Sequence, residues 1–341
     1  MVATRNPAKW HHYVPRMLLR GFSTDGDLIT AFRLPGDATF TATTKSVGAQ
    51  THLYTVEAEG QEPDAFEKIL SGVEADASRI IRQVVEGRVR LSEEDRNGLA
   101  FFIALQAARG PETKRSVEHI RSEALRLQVG AGGKPALRRK LEGQAGREIE
   151  DAEVESVWDR IMEPGATLLP MRSLDFVKHI VSTAEQLWKY IAGRPWTVHR
   201  FDQRSLVISD SPVGLIPHPD DDNDPWGSVG FMGAWGITFP LTRKVGILLS
   251  DPMVIADLVP VERIRAGDFD QTAPGTTIVE KLFNKMTVGG AREWIFHHPD
   301  DSKFVPSDLP EPTMMAVEMV GDRIEFSGDP VFPSAGMPSH D

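Results

Sequence analysis

Cysteine is absent from all 341 residues. Disulfides, thiolate zinc sites and cysteine nucleophiles are therefore excluded together. The same absence fits a cytoplasmic protein, where thiols stay reduced and disulfides are rare. Long apolar runs are missing too. No stretch approaches the ~18 continuous apolar residues of a membrane span. The opening Met1-Val2-Ala3-Thr4-Arg5-Asn6-Pro7 lacks the apolar centre of a secretory signal. Positive charge is in deficit, with 38 Lys and Arg against 49 Asp and Glu and a net charge of −11. That balance argues against a broad duplex-DNA face, which needs a dense basic footprint. No Walker loop, Gly-x-Gly-x-x-Gly, His-Glu-x-x-His, Gly-x-Ser-x-Gly elbow or internal repeat occurs.

What is present is ordinary in bulk. The chain is 40% hydrophobic and 26% charged, near globular averages. Residues 1–9 read as a flexible leader, 10–300 as a single integrated domain, and 301–341 as an acidic, proline-rich tail that is partly disordered, with one short hairpin at Met315 to Phe326. The fold class expected is α+β: an N-terminal short β segment, a helical middle and a C-terminal antiparallel sheet packed with helices.

The first part carries alternating segments. Leu28–Arg33 reads as a strand that Phe40–Lys45 joins as a hairpin, and His52–Val56 as a third strand or an anchor. Glu57–Asp64 is a charged loop. From there Phe66, Ile69, Leu70, Val73, Ala77, Ile80, Ile81 and Val84 recur at helical spacing. Ser92 with Asp95 resembles a capping box, and the helix it opens is apolar all round from Leu99 to Leu105 until Gly110-Pro111 breaks it.

Further helices are expected at Glu112–Gln128, Asp151–Met162 and Leu174–Ile191, with Gly130 to Gly133 as a joint and Lys134–Gly146 weakly ordered. After Trp196 the period becomes that of strands. Trp196–Phe201 and Ser205–Ser209 read as one antiparallel pair, and Ile237–Leu241 with Val245–Leu249 as another. A loop from His218 to Gly236 separates them. Thr276–Met286 returns to helix and Arg292–Phe296 to strand.

Polar residues beside apolar segments give the candidate site. Trp10 to Phe22 carries His11, His12, Tyr13, Arg16 and Arg20 among apolar anchors. Histidine is the acid–base group nearest neutrality. In an extended strap His11 and His12 point to opposite faces. The reading favours His12 inward with Trp10 and Val14, and Tyr13 with His11 outward. The bland alternative is a packed strap whose histidine bonds a carbonyl.

Gln106 and Arg109 share a face at the end of the apolar helix. A buried guanidinium needs a carboxylate or an anionic ligand. Glu67 and Glu74 flank the stripe of the preceding helix as bases or metal ligands, or as solvated carboxylates. Ser209-Asp210-Ser211-Pro212 follows an apolar strand, and Asp210 there is a ligand, a base or a turn former. Asp220-Asp221-Asp222-Asn223-Asp224 lacks EF-hand spacing and reads as a solvated loop. His297-His298 reads as surface, and Lys134, Arg138, Arg139 and Lys140 as a solvated basic face.

The order of these motifs resembles a bacterial family catalogued as domain of unknown function 4238. The match runs through His11-His12-Tyr13-Val14-Pro15, Leu18-Leu19-Arg20-Gly21-Phe22, Leu53-Tyr54, the helix bearing Glu67 and Glu74, Gln106 to Pro111, Ser209 to Pro212, and Asn284 before Ala291-Arg292. Gly110 stands where the family has a small hydroxyl residue, and Ser211 where it has Asn. The resemblance implies a shared site without supplying its chemistry.

The functional expectation is a hydrolase acting on a phosphorylated or anionic substrate, a nucleotide or a nucleic-acid strand. His11 or His12 would be general acid or base. Glu74 and Asp210 would orient water or hold a divalent metal. Tyr13, Arg20, Gln106, Arg109 and Ser209 would bind the substrate. The alternative is a non-catalytic anion-binding or regulatory module, or a polar network that fixes the fold.

Overall fold

The computed structural model describes residues 10–55, 65–220, 229–255 and 258–311. The leader, the tract 57–64, Asp221 to Asp224, and the hairpin and disorder expected in the tail lie outside the described residues. Among the described residues no helix is long and apolar enough to cross a membrane. The fold class is α+β, as expected. By packing, the described residues divide into two compact units, those of 10–113 with 172–311, and those of 114–171.

The first unit opens with β1 (Trp10–His12) and α1 (Arg16–Leu19), followed by a 3-10 turn at Arg20–Phe22. The expected hairpin forms from β2 (Leu28–Arg33) and β3 (Ala38–Thr43), the second strand starting two residues earlier than expected, and β4 (Ala49–Thr51) returns to pair antiparallel with β1. The strand expected at His52–Val56 is instead a turn. His52 takes a positive φ of 56° and ends β4, while Leu53 and Tyr54 are buried as anchors.

Val14, Leu18, Leu19 and Phe22 pin the strap, each fully buried and each contributing about 1.5–3 kcal/mol. Gly21 is required where the strap meets the sheet. A Cβ there would stand 2.8 Å from the Leu241 carbonyl oxygen.

α2 (Ala65–Glu86) buries Phe66, Leu70, Ala77, Ile80, Ile81 and Val84 of the stripe its spacing predicts, while Val73 is half-buried and Ile69 is exposed. α3 (Glu93–Ala108) is capped by Ser92, whose Oγ accepts from the Asp95 amide at 3.1 Å. It is buried on nearly every side. α4 (Pro111–Ala145) turns sharply at Gly133, whose φ of 65° and ψ of 178° are not helical. The joint expected there is a kink, and Lys134–Ala145 is helical.

Within the second unit, α4 and α5 (Asp151–Met162) close on Leu137, Ile149 and Val154, with Val157, Trp158 and Ile161 against them. α6 (Ser173–Ala192) belongs to the first unit and packs on α3.

The remaining strands are β5 (Trp196–Arg200), β6 (Ile208–Ser209), β7 (Gly214–Ile216), β8 (Gly236–Thr242) and β9 (Val245–Ser250). After α7 (Val261–Arg265) come β10 (Gln271–Pro274), α8 (Thr277–Gly290) and β11 (Trp294–His297). They complete a five-stranded sheet ordered β10-β5-β9-β8-β7 and a four-stranded sheet ordered β3-β2-β11-β6. Among the described strands only the β5–β10 pair is parallel.

One expected pairing is overturned. Trp196–Phe201 and Ser205–Ser209 do not pair with each other. β5 pairs with β9, and β6 pairs with β11 in the other sheet. The turn of the β8–β9 hairpin comes between them: Phe201 N donates to Lys244 O and Leu206 N to Arg243 O, both at 2.9 Å. Leu206, Val207 and Ile208 are all fully buried, so this run lacks the alternation of a half-exposed hairpin strand.

Candidate functional site

Arg109 is the C-cap residue of α3, held there because Pro111 cannot continue the helix. Its side chain is buried and gathers three separate segments. Nη1 donates to Glu74 Oε1 on α2 at 2.8 Å, and Nη2 donates to the His12 carbonyl in the strap. Its own carbonyl accepts from Tyr54 Oη at 2.6 Å. Burial works against the guanidinium charge, but the Tyr54 oxygen and the Glu74 carboxylate outweigh it and hold Arg109 protonated. Tyr54, buried against Phe66 and Phe176, has its phenol pushed up to about 12 by burial and so remains neutral.

The strap faces the other way from the sequence expectation. His11 is buried, its Nδ1 accepts from the Tyr54 amide at 2.8 Å, and its ring stacks on Tyr54 at 5.6 Å. Tyr13 is buried beside Val14, and Trp10 is 60% exposed. The alternation holds from Trp10 to Tyr13 with the inner side reversed, His11 and Tyr13 buried, Trp10 exposed and His12 half-buried, and it ends at Val14, where the chain turns into α1. Tyr13 N and Val14 N both donate to Gly48 O, which turns both residues toward the core.

His12 is half-buried, yet its Nε2 is fully covered and has no hydrogen-bond partner among the described residues. Burial lowers its pKa, Arg16 lowers it further, and Glu74 and nearby carbonyls oppose this. The ring is therefore neutral near pH 7, with a lone pair available. Gln106, one helical turn before Arg109, is buried with neither amide atom bonded among the described residues, and Arg109 Nε has no partner among them either. Buried polar atoms of this kind are rare and need an explanation such as a ligand, an ion or water.

Asp210 and Ser209 are placed differently. The Asp210 carboxylate accepts from the amides of Arg292, Glu293 and Trp294 at 2.8, 2.7 and 2.9 Å. Burial pushes its pKa up to about 6 despite those donors. It thus fastens the entry of β11. Only its backbone nears the Arg109 cluster: a Cβ on Gly110 would lie 3.9 Å from Asp210 O. Ser209 Oγ donates to Ser211 O and accepts from Ser211 N, a local turn.

Arg20 lies outside the cluster, exposed and paired with Asp27 at 3.4 Å. Asn284 accepts from Val207 N and donates to Ser205 O, clamping the strand entry. His297 and His298, expected at the surface, are buried, and His298 caps the turn at Pro299–Phe304.

The structure thus brings together His11, His12, Glu74 and Arg109, with Gln106 one turn away on α3. Tyr54 is the member that the residue-by-residue reading missed. Its signal was a tyrosine directly after Leu53 in a segment too short to need two large anchors. Among the described residues no group of three or more His, Asp or Glu is placed to hold a metal ion. A depression of ≈310 Å³ lies elsewhere, lined by Arg200, Phe201, Asp202, Lys244 and Val245. Its cations are already engaged: Arg200 donates to Val84 O and Val85 O, and Lys244 to Asp202 O and Arg204 O.

Neither the curated proteins nor the solved structures yield a match to this chain. A family model described as Protein of unknown function (DUF4238) matches residues 10–301, the span that holds the strap, the Arg109 cluster and the Asp210 clasp, and the chain belongs to that family.

Proposed function

We propose that the chain is a hydrolase for a small phosphorylated or otherwise anionic substrate, with His12 as general base. The observation that carries this is the set of buried polar atoms without partners on His12, Gln106 and Arg109, on segments that Arg109 itself ties together. A neutral histidine with an unengaged Nε2 accepts a proton from water. The Glu74 carboxylate stands close enough to His12 to favour the imidazolium that forms. The Gln106 amide and Arg109 Nε are the donors suited to charge developing on the substrate.

His11, fixed against Tyr54, positions the strap rather than reacting. Asp210, bound by three amides, holds the neighbouring backbone. A buried cluster in a chain of net charge −11 suits a small substrate such as a nucleotide better than a nucleic-acid strand. The lack of cysteine supports a cytoplasmic location.

The test is hydrolysis of p-nitrophenyl phosphate, bis-p-nitrophenyl phosphate, nucleoside triphosphates and a single-stranded oligonucleotide by the wild-type chain and by His12→Gln. Turnover of one of these with a loss of about 10²–10⁴ in kcat for His12→Gln supports the reading. Equal turnover by both proteins sinks it.

A second reading rests on a different observation. Arg109 Nη1 and Nη2 are both bonded within the protein, and Arg109 O accepts from Tyr54. In this reading the cluster is a non-catalytic network that locks the strap to α2 and α3. Loss of folding in Arg109 variants, with no activity toward any of the four substrate classes, would favour it.

A further inference from the structure

Arg194 is a buried cation of the first unit that the site above does not use. It is 4% exposed. Nη2 donates to Ala234 O at 2.8 Å, while Nε and Nη1 are buried and have no partner among the described residues. The other large buried arginines of this unit are compensated. Arg96 is paired with the Asp270 carboxylate and donates to Ala192 O and Arg194 O, and Arg109 has Glu74. Among the described residues Arg194 has no carboxylate in contact. Asp251 acts on it only through space, and burial opposes its charge. A buried guanidinium left this way is costly, and a bound anion relieves the cost.

The topology says what else stands there. Arg194 precedes β5, Asp251 follows β9, Ala234 and Trp235 precede β8, and His218 follows β7. These strands are neighbours in one sheet. Gly236 lies opposite Ser250, Ser250 N donates to Pro195 O at 3.0 Å, and Trp235 N donates to Ile216 O at 2.9 Å. All four segments therefore meet at one end of the sheet. The surface there is largely apolar and aromatic, with the exposed Asp220 carboxylate 3.5 Å from His218 Nδ1. His218 and Trp235 meet edge to face at 4.7 Å, and Met232 and Met253 are 74% and 73% exposed.

We propose that Arg194 anchors a second site, which takes a small oxyanion, a carboxylate or a phosphate, carrying a flat or apolar group. The anion meets the guanidinium nitrogens that have no partner, beside the one held by Ala234 O. The attached group lies against Trp235 and His218. Arginine rather than lysine suits this, because its planar donors recognise carboxylate and phosphate alike. The site shares no residue with the Arg109 cluster and does not depend on the hydrolase reading.

The test uses the full chain titrated with benzoate, phenyl phosphate and inorganic phosphate, followed by melting temperature and tryptophan fluorescence. Trp235→Phe identifies the part of the signal that belongs to that indole. The expected result is saturable binding of benzoate or phenyl phosphate in the ~0.1–10 mM range. The tighter of the two names carboxylate or phosphate as the natural group. Arg194→Met weakens it by roughly tenfold or more, whereas His12→Gln binds as wild type.

Without ligand, Arg194→Met melts at or above the wild-type temperature, because a lone buried charge has been removed. If Arg194→Met does not fold, Arg194→Lys is read instead, with the same loss expected. The proposal is overturned if none of the three probes saturates, or if the Arg194 variant that folds binds as tightly as wild type.

Discussion

At the scale of single residues, burial decides which ionisable groups work and which only hold. His12 and Asp210 have both moved toward neutrality, with opposite consequences for stability. For His12 the folded pKa lies below the unfolded 6.5, so the unfolded chain binds more protons below that pH. Its contribution is present above pH 6.5 and is lost as pH falls.

For Asp210 the folded pKa is about 6 against 3.8, so the folded chain binds more protons between those values. Stability then declines as pH rises from about 4 to about 6, by on the order of 1–3 kcal/mol. Urea melts of wild type and Asp210→Asn across that window should differ in slope, the variant lacking the decline, whatever constant penalty its lost hydrogen bonds impose. Parallel profiles would count against the burial argument. Arg109→Gln leaves Glu74 and the His12 carbonyl without their cation, and a loss of about 3–5 kcal/mol is expected in the same melts.

At the scale of elements, the strap is the piece whose placement matters most. β1 makes a two-stranded ladder with β4, too little to stand alone. Its position rests on Val14, Leu18, Leu19 and Phe22, on the Arg109 bond, and on Gly21 lying flat on β8. Gly21→Ala should cost about 1–3 kcal/mol, since the new Cβ meets backbone that cannot swing aside. If the hydrolase reading holds, it should also lower activity by displacing His12. An unchanged melting temperature would show that the strap tolerates a shift away from Leu241. Ser92→Ala, which removes only the α3 cap, should cost about 1 kcal/mol and leave the relative pH profile intact.

For the molecule as a whole, the first unit is built from both ends of the chain. β2 lies between β3 and β11, and α3 packs on α6. A fragment ending at residue 113 keeps β2, α2 and α3 but lacks β11, α6 and the five-stranded sheet. It should show no cooperative unfolding by circular dichroism. A cooperative melt in that fragment would mean that the N-terminal segments fold without their C-terminal partners.

Much of this was legible in residue order. The α2 stripe, the Ser92 cap, the Gly110-Pro111 break, α5 and the β2–β3 and β8–β9 hairpins all follow from local spacing and turn chemistry. The Glu74–Arg109 pair was among the partners that a buried arginine at the end of an apolar helix demands. The β5 and β6 pairings were misread because sequence neighbours are the default partners, whereas here the β8–β9 turn comes between them. The inward turn of His11 was misread because alternation says which residues share a face, not which of the two faces is buried.

By itself the sequence determined the main helices and the β2–β3 and β8–β9 hairpins, that no thiol chemistry is available, and which charged residues would be too costly to bury alone. Those follow from interactions within a few residues. Only the tertiary structure decided that Arg109 holds the strap, that Asp210 fastens β11, that Tyr54 sits among the histidines, and that Arg194 is buried with no counter-ion among the described residues. Each of these depends on groups far apart in the chain meeting out of water, where an unmet hydrogen bond or charge is expensive and one partner is chosen from many that composition alone would allow.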